Sequence, residues 1–255
     1  MLALLLFIIS TSSWSLSTPY ASSAARGELV KKSKYIINYN EDHEVANWVE
    51  YSLAREDLRN CASRRNNFRF DPYVSTGSAT PADYKGSGFD RGHLVPAGDM
   101  KMSREAMSDT FYMSNMTPQP SRFNQVQWNH LEQLVRAWAV TYKKLWIITG
   151  PVLHEKLPTI GQNNRVSVPT EYFKVILRKD TYGYKGIAFL VPTSVPHRNL
   201  SLYTLSIREL ENYTQINFFT FLDDEEEFIE EIKNLGDWNF AASFEYLPCL
   251  LAEVQ

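Results

Sequence analysis

The 255-residue chain is poor in cysteine, carries no surplus of basic residues and has no apolar run long enough to cross a bilayer. Two cysteines, Cys61 and Cys249, are too few for a small disulfide-stapled scaffold. They suffice for one bridge in an oxidising compartment, or they are two unrelated buried thiols. Neither has a Cys or His beside it at metal-ligand spacing, which argues against a zinc site. The apolar run Met1 to Ile9 falls well short of the ~20 residues that a spanning helix needs. Internal repeats and low-complexity tracts are absent, so nothing points to a solenoid or an array. The formal net charge of −3 gives no sign of a polyanionic partner, but the acid is unevenly placed. Asp223, Asp224, Glu225, Glu226, Glu227, Glu230 and Glu231 lie together without a Lys or Arg, and the rest of the chain is net positive. Such a run reads as the solvated face of a late helix.

What is present is material for one well-buried domain: 44% hydrophobic, 22% charged, with six Trp, fourteen Tyr and fourteen Phe. The aromatics read as core by default. Residues 1–24 read as a signal peptide and flexible leader, the apolar run being followed by a Ser/Thr-rich stretch from Ser10 to Ser23. Export to the periplasm or the exterior is the favoured expectation. Because no Lys or Arg precedes Arg26, a truncated start, a lipid-proximal anchor and an organellar presequence stand as alternatives.

Clusters of β-formers at Lys34–Tyr39 and Asn47–Leu53 predict strands, followed by a long irregular excursion over 55–88. Ser103 opens a short helix, and Phe111–Met116 reads as a strand. Residues Asn124 to Tyr142 form the most convincing helix, with Trp128, Leu131, Leu134, Val135 and Trp138 on one stripe. Strands follow at Leu145–Thr149, Tyr172–Leu177 and Gly186–Val191. Ser206 with Glu209 is a capping box opening a helix to about Tyr213, and Glu225–Asn234 is a last helix. The sum is an α+β single domain around a central antiparallel or mixed sheet.

The chemistry concentrates in two segments. His93 follows Asp90, Arg91 and Gly92; a neutral imidazole with a pKa near neutrality can take a proton from water, Arg91 offers a two-pronged phosphate donor, and Gly92 permits an unusual turn. Asn124, Gln125, Trp128, Glu132 and Arg136 then recur at helical spacing. A carboxamide oxygen at Asn124 is a hard neutral ligand for Mg²⁺, although an Asn there would also cap a helix. Glu132 and Arg136 form an ordinary i,i+4 ion pair on the bland reading. A base, a hard-metal ligand and guanidinium groups together suit metal-assisted hydrolysis of a phosphodiester.

These residues carry a resemblance. Asp90-Arg91-Gly92-His93, the preceding Gly86-Ser87-Gly88-Phe89, the block Phe111 to Gln119, the segment Asn124 to Arg136, Trp146 to Pro151 and Ala188 to Pro192 resemble, in order, the DNA/RNA non-specific endonucleases of the ββα-metal class. The likeness runs over roughly residues 45 to 235. It implies a nuclease domain over 30–245 with a ββα-metal catalytic unit. It also implies Mg²⁺ (or Mn²⁺) on Asn124 and DNA and RNA substrates held by their backbones, with 5′-phosphate and 3′-hydroxyl products. By the same resemblance His93 is the general base, Glu132 holds a metal-bound water, Arg91 and Arg136 bind phosphate, and the Asn115 amide bonds to His93 or the phosphate. No stable membrane partner is implied. One departure concerns an upstream arginine of the family, whose place is taken by Asn66, with Arg64, Arg65 and Arg69 around it. An inactive nuclease-like binding domain is the alternative, and a small-substrate phosphoesterase a weaker third, since it would need more carboxylates.

Two geometric expectations follow. His93, Asn115, Asn124, Glu132 and Arg136 should converge on one wet groove flanked by Arg91 and Arg136. Cys61 and Cys249, if paired, should have Cα atoms within about 7 Å.

Overall fold

The computed structural model describes residues 20–21, 27–194, 199–222 and 228–250. The leader apart from 20–21, residues 223–227 of the acidic run, and His197 lie outside the described residues. Seven strands form one antiparallel sheet: β1 (Glu28–Lys31), β2 (Tyr35–Asn40), β3 (Val45–Ala54), β6 (Lys144–Pro151), β7 (Glu171–Asp180), β8 (Gly183–Pro192) and β9 (Thr204–Leu205). Their order across the sheet is β9-β8-β7-β6-β3-β2-β1. Between β3 and β6 the chain leaves the sheet to build a two-stranded hairpin, β4 (Asp90–His93) with β5 (Met116–Gln119), then helix α2 (Asn129–Tyr142). That excursion is the ββα unit, and a short helix α1 (Arg104–Asp109), capped by the Ser103 hydroxyl, lies inside it.

Both faces of the sheet are covered, which is why Tyr172 to Leu177 are all buried instead of alternating. On one face Tyr51, Ile147, Ile176 and Phe189 pack with Trp128, Leu131, Val135 and Trp138 of the helix region. On the other, Trp48, Ile148, Phe173 and Val175 pack under Phe218, Phe219 and helix α3 (Ile207–Thr214). Each fully buried large apolar side chain contributes roughly 1.5–3 kcal/mol, and the sheet centre supplies many. The Ser206–Glu209 capping box forms as the sequence predicts.

Three sequence expectations are corrected. Residues Met113–Asn115 are a tight helical turn, and the strand starts only at Met116. The cause is Asn115, whose side chain donates back to the Thr110 carbonyl and pairs with the Val95 backbone, which holds the turn in place of a ladder. The long helix opens as a π-turn over Phe123–Trp128, with the Asn129 N–H donating to the Asn124 carbonyl five residues back. α-Helical spacing therefore does not run unbroken from Asn124 to Glu132, and such bulges are frequent at functional sites. The last helix is described only over Phe228–Glu231. There Glu230 is buried against Arg208 at 2.8 Å, so that member of the acidic run is docked on α3, whereas Glu231 stays exposed as the sequence reading expected.

Cys61 and Cys249 are joined, with Cα atoms 4.8 Å apart, within the expected limit. The bridge closes 188 residues of chain. A loop that long corresponds to about 5 kcal/mol of lost unfolded-state entropy in the chain-entropy treatment. It fastens a C-terminal strap, residues 235–250, that runs along α2. The Trp138 indole N–H donates to the Asn239 carbonyl at 2.8 Å, the Tyr142 hydroxyl to Asp237 at 3.1 Å, and the Trp138 and Trp238 rings lie 4.6 Å apart.

Candidate active site

The β4–β5 hairpin positions the Asp90-to-His93 motif. Side chains alternate along a strand, so Arg91 and His93 project to one side and Asp90 and Gly92 to the other. Phe68, from the irregular excursion, lies against both: the Arg91 guanidinium is 4.2 Å from its ring centre, and the His93 ring 5.9 Å. Phe111 stands edge-on to His93 at 5.0 Å. His93 is buried, at 8% exposure, and its Nε2 makes no hydrogen bond among the described residues. Burial first, and then the nearby Arg64 guanidinium, push its pKa down to about 3. The imidazole is thus neutral at working pH, but not with the near-neutral pKa the sequence suggested. Gly92 also serves differently from expectation. It is not among the glycines with positive φ, and a Cβ on it would lie 2.2 Å from the Gln119 side chain. The glycine is needed for that close approach across the hairpin.

Above His93 opens a cleft of about 730 Å³, lined by Arg64, Phe68, Tyr84, Asp90, Arg91 and Asn124 among others. Asp90 fixes the Asn124 side chain: one carboxylate oxygen accepts from Asn124 Nδ2 at 2.9 Å and from Gln125 at 3.1 Å, and the other accepts from Ser121 at 2.7 Å. Burial opposes the Asp90 charge, but these three donors outweigh it and hold the pKa below the usual carboxylate range. With its nitrogen committed to Asp90, Asn124 keeps its oxygen for another partner. This donor set fits a small hard cation that retains most of its waters. It does not fit a many-ligand cage, since among the described residues no cluster of three His, Cys, Asp or Glu could hold an ion.

Glu132 and Arg136 belong to a buried charge island on the sheet side of α2. Arg136 Nε donates to Asp99 at 2.6 Å and Nη2 to Glu132 at 3.2 Å, and the Tyr51 hydroxyl donates to Asp99 at 2.7 Å. Lys174, fully buried on β7, faces the same island with its ammonium 4.9 Å from the Trp128 ring and no hydrogen bond among the described residues. Burial pushes Glu132 up to about 7, with Arg136 pulling the other way, and pushes Lys174 down to about 8. Burial also works against the Arg136 charge, but Asp99 and Glu132 more than compensate and raise its pKa.

The five residues thus do not converge on one groove. Arg91 and Asn124 line the cleft, His93 lies beneath its Phe68 wall, and Glu132 stays in the island with its side chain 13% exposed. Arg136 is buried in two ion pairs and does not flank the cleft. Asn115 is fully buried and bonds neither His93 nor open space: its oxygen accepts from Val95 N–H, and its nitrogen donates to the Val95 and Thr110 carbonyls. Among the three arginines near Asn66, Arg64 enters the cleft, with its guanidinium 5.0 Å from the Phe111 ring and in electrostatic range of both His93 and Glu132. Arg69 is engaged with Ser108 and stacked on Tyr112. Sequence reading missed Asp99 and Lys174. Neither carries a motif, and the only signal was a lone charge inside an otherwise apolar segment.

A sequence model of the DNA/RNA non-specific endonucleases matches residues 16–225. The chain belongs to the DNA/RNA non-specific endonuclease family. It is therefore a nuclease, with the family's ββα-metal fold. It is 34% identical to Nuclease C1 of Cunninghamella echinulata var. echinulata over 82% of this chain and 86% of that protein. To human mitochondrial endonuclease G it is 37% identical, over 66% of this chain and 61% of the human one. A chain from the crystal structure of the EndoG/EndoGI complex, a study of EndoG inhibition, superposes with a TM-score of 0.72 at 27% identity, covering 78% of this chain and 89% of that one. The family match ends before the strap begins at Leu235.

Proposed function

We propose that the protein is an exported, divalent-cation-dependent endonuclease that hydrolyses phosphodiester bonds of DNA and RNA with His93 as general base. The observation that carries this reading is the orientation of Asn124 by Asp90, which leaves a carboxamide oxygen for the cleft beside Arg91 and above a neutral imidazole. Asn124 would hold Mg²⁺, with Mn²⁺ as a substitute, and the bound ion supplies charge neutralisation at the phosphate and the leaving oxygen. Arg91 and Arg64 bind the phosphate oxygens from the cleft walls. His93 takes the proton from the attacking water. For water to reach His93, Phe68 and Arg64 must yield as the substrate enters. A phosphate drawn to Arg64 also offsets the positive charge that opposes the imidazolium, raising the basicity of His93 when it is needed. Glu132 and Arg136 act from the island: Glu132 would orient a water of the bound ion, and Arg136 holds Glu132. Asn115 supports the turn that follows His93. Export is supported by the disulfide, which persists in oxidising compartments.

Incubating the purified protein with supercoiled plasmid and with RNA, with Mg²⁺ or with a chelator, tests the proposal. Cleavage of both polymers that the chelator abolishes is the expected result. Binding without cleavage would support the inactive alternative, and cleavage indifferent to the chelator would remove the metal.

A further inference from the structure

The strap lies outside the stretch that matches the family, yet it packs onto the back of the charge island. The Tyr246 hydroxyl donates to the Gly98 carbonyl at 3.1 Å. A Cβ on Gly98 would meet that hydroxyl at 2.9 Å and Arg136 Nη2 at 2.5 Å, so both groups close on Gly98 and no side chain fits there. The Arg136 guanidinium also lies 5.7 Å from the Phe244 ring centre. The chain then runs on in register with the start of the cleft loop: Leu247 N–H donates to the Leu58 carbonyl at 2.7 Å and Asn60 N–H to the Leu247 carbonyl at 3.0 Å. Two residues later Cys249 is bonded to Cys61, three residues before Arg64.

We infer that the strap is a working part of the active site, in which Phe244 and Tyr246 are positioning residues that hold Arg136, and through it Glu132, while the Cys61–Cys249 disulfide keeps them seated. Arg136 has two carboxylate partners on its inner side. Gly98 and Phe244 of the strap lie against the same guanidinium. A guanidinium free to swing outward would take Glu132 with it or abandon it, and loosening of about 1 Å in a catalytic constellation is costly. The same disulfide anchors the loop that carries Arg64 and Phe68 over His93, so one bond restrains both halves of the site. This inference rests on the nuclease reading for its kinetic test only.

Tyr246→Ala, Tyr246→Phe and the double variant Cys61→Ser/Cys249→Ser are compared with wild type at a temperature where circular dichroism shows each folded. Wild type is also assayed after treatment with dithiothreitol, which gives two electrons and two protons to the disulfide, leaving two thiols and its own cyclic disulfide. Loss of about tenfold in kcat is expected for Tyr246→Ala, the double variant and reduced wild type, the size typical of lost outer-shell support. KM should stay within about twofold, as for an interaction that matters only in the transition state. Tyr246→Phe should regain most of the Tyr246→Ala loss, and dithiothreitol should not affect the double variant. Unchanged kcat, or a change confined to KM, overturns the inference. If Tyr246→Ala does not fold, reduced wild type decides. Amide hydrogen exchange over residues 96–101 and 129–142 gives a reading independent of cleavage: protection should fall on reduction, and unchanged protection also overturns the inference. An oxidised wild type that binds Mg²⁺ and nucleic acid but cuts nothing would refute the nuclease reading, leaving the exchange result to judge the strap.

Discussion

Burial of His93 has a consequence for acid stability that can be measured without substrate. An unfolded histidine has a pKa of about 6.5, whereas His93 in the folded chain is pushed down to about 3. Below pH 6.5 the unfolded state takes up a proton that the folded state refuses, so the stability His93 contributes is present above that pH. It drains away as the pH falls toward 3. From pH 7.5 to pH 5 the loss is about 1.5 pKa units' worth, or about 2 kcal/mol, rising to about 3 kcal/mol at pH 4. His93→Gln removes the titration. Its direct effect on packing is the same at every pH and cancels when each protein is compared with itself. Urea unfolding of the two metal-free proteins at pH 7.5, 6, 5 and 4 should show wild type losing stability faster, by about 2 kcal/mol at pH 5. Carboxylates and the other histidines contribute equally to both and drop out. Parallel curves would mean that His93 titrates near its ordinary pKa. The loop carrying Phe68 and Arg64 would then stand open in solution, and the account of a dry, shielded base would be wrong.

His93→Ala should lower cleavage by orders of magnitude while leaving affinity for DNA nearly intact, since a neutral ring adds little to backbone binding; near-normal turnover removes it from the mechanism. Asp90→Ala frees the Asn124 amide and should weaken Mg²⁺ binding, measured by calorimetry, by about 10–100-fold; unchanged affinity would mean that Asn124 is not the ligand. Arg64→Ala should reduce the salt slope of DNA binding by about 0.9, whereas Arg69→Ala, which lies outside the cleft, should leave the slope alone; the reverse pattern would reassign the phosphate contact. Gly92→Ala should destabilise by roughly 1–3 kcal/mol in chemical denaturation through overlap with Gln119, and the added change Gln119→Ala should recover much of that loss.

The α+β class, five of the seven main strands in outline, the capped helices and the family were legible in the chain because they rest on local signals. Hydrophobic periodicity, capping residues and a contiguous Asp90-to-His93 motif are each read within a few residues. The Cys61–Cys249 bridge was legible only as arithmetic, since two cysteines permit one pairing and nothing in the sequence says that 188 residues of chain return to the same place. What the sequence could not decide was where charged and amide side chains turn. Asn115 and Asn124 look equally suited to an active site. Tertiary contacts commit the first to the Val95 and Thr110 backbone, while Asp90 leaves the second with its oxygen free. Arg136 resembles a phosphate ligand until Asp99, 37 residues away, claims it. The choice of Arg64 over Arg69 and the burial of His93 depend in the same way on which side chains arrive from distant segments. Hydrogen bonding and desolvation act over a few ångströms of space, and separation along the chain gives little guide to them.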